Sequence, residues 1–521
     1  MPVTTTRPEQ NLRDLESQIA RLNRIGIALS SEHNLQRLLN LIVSEARRFT
    51  RADGGSLYIK EEDKLNFVVA QTESLEAGSN GKKNAFRSFY VPLTKESISG
   101  YVATTGEVLN IEDAYMIPPT VEYRLNKDFD YRTGYRTKSM LVVPMKDHED
   151  EIIGVLQLIN SLDDDGKVVP FRKEYETLVH SLASQAAVAI RNVKLIEEIR
   201  TLFRSLVRYS AKAIDARSPH TAGHSGRVAE YSVHLMYALN EEKEGRFADL
   251  EFTAAEIEEM RMAGWLHDIG KIGVREAVLE KENKLNNEQM QVIEGRFRTV
   301  QMLEIIRAER RKNEMMQAGA PDQQKFEEVD QQLQLRLKQL QDDLAFLKKV
   351  NTPGFLPEED RERLKKIAES TYDDLDGERY FMLTADEYEN LSVVKGNLTE
   401  AEYKEIQSHV VQTLDILENI PFTKDLENIP KYAAAHHEML DGSGYPYNLK
   451  GDQIPLQGRI MAVCDIFDAL TASDRPYKKA MPLEKSLAIL RDEAERGRLD
   501  KDLVDVFIRR EVYKKSVSVE M

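Results

Sequence analysis

Apolar residues recur along this chain with a helical period that gives way to short β-rich runs, and the switches between the two divide it into regions. Over residues 11–30 (NLRDLESQIARLNRIGIALS), Leu12, Leu15, Ile19, Leu22 and Ile25 return every three or four positions. That spacing predicts an amphipathic helix with one apolar stripe. Between about 50 and 160 the pattern breaks into β-rich runs: SLYIK, LNFVVAQ, SFYVPL, EVLNI, SMLVVPM and IIGVLQLIN, separated by Gly, Asp and Asn. Short runs of this kind between turn residues predict strands. Helical stretches at 34–49 and 171–200 flank them, so the region predicts an α+β sensor-like domain with helices covering one face of a sheet. Residues 171–213 then read as one long helix, without Gly or Pro until Ser218-Pro219. Its apolar stripe suggests a parallel dimer.

From about 214 onward the chain reads as helices and loops. Residues 323–350 place Phe326, Val329, Leu333, Leu337, Leu340, Leu344 and Leu347 at steps of three and four, and AGAPD separates them from a helix at about 287–316. The two form a helical hairpin that TPGFLP (352–357) ends. LNNEQMQVIEGRF (285–297) and LTEAEYKEIQSHV (398–410) share a helix-start pattern, and Thr399 with Glu402 predicts a capping box. Eleven residues after each leading Leu stand Arg296 and His409, so only the second copy offers a metal ligand there.

A length of 521 residues allows two to four domains with real cores. The net charge of −16 argues against a nucleic-acid polymer as partner, because a phosphate backbone needs a basic footprint. The single cysteine, Cys464, excludes an intramolecular disulfide and fits a reducing cytoplasm. The polar N-terminus (MPVTTTRPEQNLRDLE) and the lack of any apolar run near the roughly 18 residues of a membrane span predict a cytoplasmic chain without a membrane partner.

The candidate chemistry lies beyond residue 214, where seven of the ten histidines fall: His220, His224, His234, His267, His409, His436 and His437. GWLHDIGKIG (264–273) sets His267 beside Asp268. MAVCDIFDALTASDRPYKK (461–479) adds Asp465 and Asp468 on one helical face, followed by cations. Mixed imidazole and carboxylate donors without thiolate suit two transition-metal ions such as Fe, Mn, Zn or Ni. Two such metals would cradle a hydroxide opposite an in-line displacement at phosphorus. The stretch AAAHHEMLDGSGYPYNLKG (433–451) by itself leaves three readings of its histidine pair open: catalytic metal ligands, oxygen-carrier ligands, or polar residues leading into a turn.

Taken in order, HTAGHSGRV, LHDIGKIG, the isolated His409, HHE, GSGYP and the aspartate–DRPYK run resemble the HD-GYP cyclic-di-GMP phosphodiesterases, a branch of the HD phosphohydrolases. The resemblance covers about 206–515, interrupted by a helical insertion at about 296–396, and implies an all-α metal phosphohydrolase domain. It implies two divalent metal ions, with Fe or Mn favoured over Zn or Ni, held by His224, His267, Asp268, His409, His436, His437 and Asp465, with Asp268 bridging. Lys271, Tyr445, Arg475 and Lys478 match positions that contact substrate. Asp268, Lys271 and Asp468 are the catalytic candidates, Asp468 as a group that orients or protonates near the nucleophile. Family members hydrolyse cyclic di-GMP to the linear dinucleotide, and in some cases on to GMP, by attack of a metal-bridging hydroxide. Some members also hold a third metal through a glutamate four residues before the first metal histidine; this chain has His220 there, a candidate extra ligand. Glu438 is open to a role as partner of a ligand imidazole.

Residues from about 25 to 195 resemble a GAF domain, through YVPLTKESISGYVATTGEVLNI and SMLVVPMKDHEDEIIGVLQLIN. The Asn-Lys…Phe…Asp-Glu signature of cyclic-nucleotide-binding members is poorly matched by Asn160-Ser161 and Phe171 through Glu174, so a cyclic nucleotide is not favoured; the domain takes an unassigned small molecule, or none and serves dimerisation alone. The expected order is therefore an N-terminal helix (1–24), the GAF-like sensor (25–195), a connecting helix (175–213) and the phosphodiesterase domain (206–515), arranged as a homodimer through the N-terminal and connecting helices. Two other classes compete: an HD-type hydrolase of another cyclic dinucleotide or nucleotide, and a non-catalytic cyclic-di-GMP receptor. An oxygen carrier of the haemerythrin type needs Glu-x-x-His spacing in a four-helix bundle, which is missing here.

Overall fold

The computed structural model describes residues 20, 22–78, 89–217, 223–319, 323–472 and 481–514. The chain divides into two compact units, Met1–Phe203 and Arg204–Met521. His220, Arg475 and Lys478 lie outside the described residues, as do residues 1–19 of the N-terminal stretch.

In the first unit all six predicted strands form: β1 (Ala52–Glu61), β2 (Lys64–Thr72), β3 (Phe89–Pro92), β4 (Leu109–Ile111), β5 (Met140–Lys146) and β6 (Ile152–Leu162). A seventh, β7 (Val168–Val169), is too short to show a period. The sheet runs β3-β2-β1-β6-β5-β4 with β7 beside β6, and every pairing is antiparallel. Central strand β1 shows why both faces need cover. Leu57 and Ile59 enter a core with Ile42 and Val43 of the helix Leu35–Thr50 and with Leu182 and Ala186 of the helix Lys173–Arg217. Tyr58, between them, points the other way, into a second core with Ile98, Val102 and Met140. Successive strand side chains alternate faces. The expectation of cover on one face is corrected accordingly: the short helix Ile98–Thr105 and its flanking loops close the opposite one. Residues 22–31 are helical, and Ile25 and Leu29 join the first core.

The second unit is mainly helical. The helices His224–Asn240 and Ala254–Leu266 approach closely because position 264 is glycine; a Cβ there would stand 2.6 Å from Ala229 Cα. The helices Glu400–Glu418, Ile429–Ala434 and Leu456–Thr471 complete the frame of the candidate site. The predicted hairpin is formed by Asn287–Gln317 and Gln323–Asn351, with a core of its own that includes Ile293, Phe297, Leu340, Leu347 and Leu391. Lys284 Nζ donates to Leu391 O (3.0 Å), and the Asn351 amide bonds both Leu285 N (2.7 Å) and Leu285 O (3.1 Å), clasping the base of this insertion. The expectation of helix alone is corrected by two small antiparallel pairs, Gly354–Phe355 with Lys395–Gly396 and Thr371–Asp373 with Arg379–Phe381. Runs of two or three residues carry no readable period. Both helix starts have capping boxes, Asn286 with Gln289 and Thr399 with Glu402. Among the described residues, no helix is long and apolar enough to cross a membrane.

Candidate metal centre

Five segments deliver the candidate ligands. His224 opens the helix His224–Asn240, preceded by Gly223 at φ 69°. His267 ends the helix Ala254–Leu266, and Asp268 starts the short 3₁₀ turn Ile269–Gly273. His409 lies in the helix Glu400–Glu418, His436 and His437 follow the helix Ile429–Ala434, and Asp465 lies in the helix Leu456–Thr471. The turn that carries Asp268 fits against the His409 helix only through glycine. A Cβ on Gly270 would stand 2.0 Å from His409 O and 2.4 Å from Thr413 N. Thr413 fastens this contact, since its hydroxyl accepts from Gly270 N (2.9 Å) and donates to His267 O (3.1 Å).

Three histidines are anchored in the same way. The Nδ1 atoms of His267, His409 and His436 each bond the backbone carbonyl three residues earlier, on Gly264, Ile406 and Ala433. Each Nδ1 therefore carries the proton, and each Nε2 lone pair faces the interior. All three Nε2 atoms, together with Asp268 Oδ1, are buried without a hydrogen-bond partner. Leaving such a group unsatisfied costs about 1–3 kcal/mol. All four belong to residues of overlapping sets of possible metal ligands, where bound cations would satisfy them.

Possible ligand atoms fall into overlapping sets whose members lie within 4.8 Å of one another: His409, His436 and His437; His224, His267 and Asp465; and His267, Asp268 and His436. Asp268 stands between the first two. Its Oδ1 is 3.3 Å from His409 Nε2, while its Oδ2 is 3.3 Å from His267 Nε2 and 3.5 Å from His224 Nε2. Asp465 Oδ1 is 3.2 Å from His224 Nε2, and its Oδ2 is 3.8 Å from His437 Nδ1. The structure thus brings together all seven residues expected as ligands, and the donors are of the type and number that two transition-metal ions take.

The electrostatics agree. Burial pushes Asp268 up, but Lys271 and the surrounding histidines hold its carboxyl well below the usual range. Asp465 is likewise depressed against burial, chiefly by His224. Burial, with His437 and His267 nearby, drives His436 well below its ordinary value, and burial takes His437 down to about 4. These are ionised carboxylates beside neutral imidazoles, the protonation states that bind metal. His224 is the exception: Asp268, Asp465 and Asp468 raise it despite burial. Three buried carboxylates around one imidazole require positive charge.

Lys271 Nζ lies on Asp268 Oδ2, at the mouth of the group. Tyr445 places its ring 4.7 Å from that of His437. Its position depends on Gly444, where a Cβ would stand 2.3 Å from Met439 N, and on the Tyr445 N to His437 O bond (3.1 Å). Asp468 is turned away from the ligand atoms. Its Oδ2 bonds His224 Nδ1 (2.8 Å), and Arg227 holds both its oxygens at 2.6 and 3.0 Å. This geometry suits holding the His224 ring, so of the two roles expected for Asp468 it favours orientation over proton transfer. The role of Glu438, open in the sequence, is given geometry here. Glu438 is 2% exposed, and its carboxylate accepts from Tyr447 N (2.7 Å) and Leu449 N (2.9 Å), bracing the turn instead of partnering an imidazole. Sequence reasoning missed Arg227 and Thr413. The signals were there, because Arg227 follows His224 by three and Thr413 follows His409 by four, which are same-face spacings on a helix.

Comparison with known proteins agrees with this division. The GAF domain family matches residues 34–190, and two HD domain families match residues 221–347 and 386–503. Among curated relatives, the 3'3'-cGAMP-specific phosphodiesterase 3 of Vibrio cholerae serotype O1 is 47% identical over 98 residues, 19% of this chain and 20% of that protein. The cyclic di-GMP phosphodiesterase response regulator RpfG of Xanthomonas campestris pv. campestris is 42% identical over 115 residues, 22% of this chain and 29% of the relative. A cyclic di-GMP phosphodiesterase of Vibrio cholerae serotype O1 is 38% identical over 117 residues, 22% of this chain and 23% of the relative. The matched segments span less than a third of each relative's length. The chain therefore joins a GAF domain to an HD domain, and it has sequence in common with curated cyclic-dinucleotide phosphodiesterases.

Proposed function

We propose that this chain is a metal-dependent phosphodiesterase that opens cyclic di-GMP to the linear dinucleotide, under the control of its GAF domain. The observation that carries the reading is that three buried Nε2 lone pairs and one carboxylate oxygen, all without hydrogen-bond partners, fall in overlapping sets of possible metal ligands. When bound, two metal ions would supply Lewis acidity at phosphorus and a water of lowered pKa. His224, His267 and Asp465 would hold one ion and His409, His436 and His437 the other, with Asp268 shared.

The chain's own groups do the rest. Lys271 offers an ammonium beside the shared carboxylate, placed to offset charge that builds on a phosphate oxygen. The Tyr445 ring beside His437 offers an aromatic face to a base. Arg475 and Lys478 are the further phosphate contacts that this reading assigns. In the GAF unit, a cavity of 540 Å³ bordered by Tyr58, Phe67, Tyr135 and Met140 is where a small regulatory ligand would bind.

A second substrate has specific support, because three relatives are named as specific for 3'3'-cGAMP, which differs from cyclic di-GMP in one base. The deciding experiment incubates anaerobically metallated protein with each dinucleotide and resolves the products by chromatography. Linear pGpG supports the reading. Faster turnover of 3'3'-cGAMP moves the specificity. Binding of either ligand without a linear product would leave a receptor and end the enzyme reading.

A further inference from the structure

Aromatic rings border the cavity of 540 Å³ in the GAF unit from two sides. Three come from the sheet. Tyr58 of β1 is the register partner of Phe67 of β2, and Phe67 that of Phe89 of β3; their ring centroids lie 4.8 and 4.6 Å apart. Directly opposed strand residues bring their side chains together on one face, so these rings form a continuous wall. Phe129, Tyr131 and Tyr135 come from the helix Asp128–Thr133 and the chain just after it. The Tyr135 hydroxyl donates to Asp53 Oδ2 (2.7 Å) and accepts from the Asn160 amide (2.9 Å), so what it offers the cavity is its ring.

Charge around the cavity is one-sided. Asp130 lines it at 5% exposure, and its donors are the Tyr115 hydroxyl and the Thr137 amide and hydroxyl, all neutral. Asp53, buried behind Tyr135, likewise takes neutral donors: Tyr135 and the Ser74 amide and hydroxyl. The neighbouring cations are engaged elsewhere. Arg47 reaches the backbone carbonyl of Asp53 (2.8 Å) and not its carboxylate. Arg124, the one cationic side chain among the described residues of the lining, donates to Tyr123 O (2.7 Å) and Pro119 O (2.9 Å) of its own loop. Lys127 and Arg136 lie over the Tyr115 ring. Burial, and then Asp53, push the Tyr135 hydroxyl above its ordinary pKa, in keeping with negative potential here.

A cyclic nucleotide would bring its phosphate into this cavity without a cation to meet it, which is costly. An organic cation would meet aromatic faces and buried carboxylates, both of which attract it. The volume holds far more than a bare ammonium group, and a wall of rings stacks a flat ring. We infer that the GAF cavity takes a small organic cation with a flat aromatic ring, its positive charge held among the tyrosine and phenylalanine faces beside Asp130. This rests on the reading of the cavity as the regulatory ligand site, and it is independent of the metal centre and of the dinucleotide cleaved.

Three probes that share one ring separate charge from shape: tryptamine (a cation), indole (neutral) and indole-3-acetate (an anion). Calorimetric titration of the full, metal-loaded chain with these, and with cyclic AMP and cyclic GMP, reads binding by heat. Tryptamine is expected to bind about tenfold or more tightly than indole-3-acetate or either cyclic nucleotide, with indole between. Asp130→Asn should erase most of that discrimination. Phe89→Leu, at a half-exposed position that leaves folding intact, should weaken tryptamine several-fold. No binding of tryptamine, equal binding of the three ring compounds, preference for an anion, or tryptamine binding unchanged in both variants would each overturn the proposal. Because heat is read and not product, failure of the phosphodiesterase reading would show separately, as absent linear dinucleotide with tryptamine binding intact.

Discussion

Asp268 Oδ1 stands 3.3 Å from His409 Nε2, and neither atom makes a hydrogen bond. The two residues are 141 positions apart in sequence, with the whole helical insertion between them. Two buried polar atoms this close, each with an unused lone pair, repel one another until something positive stands between them.

Removing the metal should uncover the cost. In chelator the orphaned lone pairs remain unsatisfied, and added Mn²⁺ or Fe²⁺ should raise the thermal midpoint. At a hundredfold excess over the dissociation constant, linkage predicts about 2.7 kcal/mol of stabilisation. Calorimetry with and without chelator measures it. A midpoint indifferent to metal would count against the site.

His409→Ala should lower metal content from two ions per chain to one or fewer, and should abolish release of linear product. Elemental analysis of protein purified without oxygen reads the first, chromatography the second. His234→Ala, outside the candidate set, is the matched control and should keep its metal. Full metal content in the His409 variant would remove this residue from the ligand set.

Gly270→Ala should act through the backbone. Its new Cβ would meet His409 O and Thr413 N at 2.0 and 2.4 Å, so the turn carrying Asp268 must shift away from the helix carrying His409. Overpacking of this kind costs about 1–3 kcal/mol or more. Urea unfolding should show that loss, and metal affinity should fall with it. An alanine variant of wild-type stability would mean that the two segments can separate freely.

Glu438→Ala separates turn geometry from metal binding. It leaves the Tyr447 and Leu449 amides without their acceptor, at roughly 1–3 kcal/mol for a buried group. The Tyr445 turn should loosen, so KM should rise several-fold while metal content stays near wild type. Loss of metal instead would point to a direct role at the centre.

Glu242 gives a pH dependence remote from the metal. Hydrogen bonds from Arg509 and then Arg510 lower its pKa from the ordinary 4.5. A carboxylate depressed on folding contributes stability above its unfolded pKa, and loses it as the pH falls through the folded one. Because the arginines are partly exposed, the contribution is about 0.2–1 kcal/mol. Glu242→Gln should therefore be less stable than wild type at pH 7 by that amount, and the gap should narrow as the pH falls below the ordinary 4.5 and close once it has passed the lowered folded pKa. A gap that grows in acid would reverse the sign.

The sequence was most legible where chemistry depends on residue identity and local spacing. The six strands of the sheet followed from short β-rich runs between Gly, Asp and Asn, while the opposite facing of Leu57 and Ile59 against Tyr58 came from the structure. The His-Asp pair, the His-His pair and the start of the His409 helix could all be read from neighbours within a few residues. Two roles stayed open in the sequence for one reason. Asp468 and Glu438 have side chains typical of a site, but what a carboxylate does depends on what it faces. Asp468 faces His224 and Arg227, and Glu438 faces two backbone amides of its own turn.

By itself, then, the sequence determined the order of two domains, the helical and strand periods, and the inventory of imidazoles and carboxylates. Those properties are local: they depend on side-chain type and on spacings of two to four residues. Only the tertiary structure decided that ligands from five segments share one place, that Asp268 divides its two oxygens between two sets of imidazoles, and that Gly270 and Thr413 hold this arrangement shut. Convergence depends on how helices hundreds of residues apart pack, and packing is settled by the whole core at once.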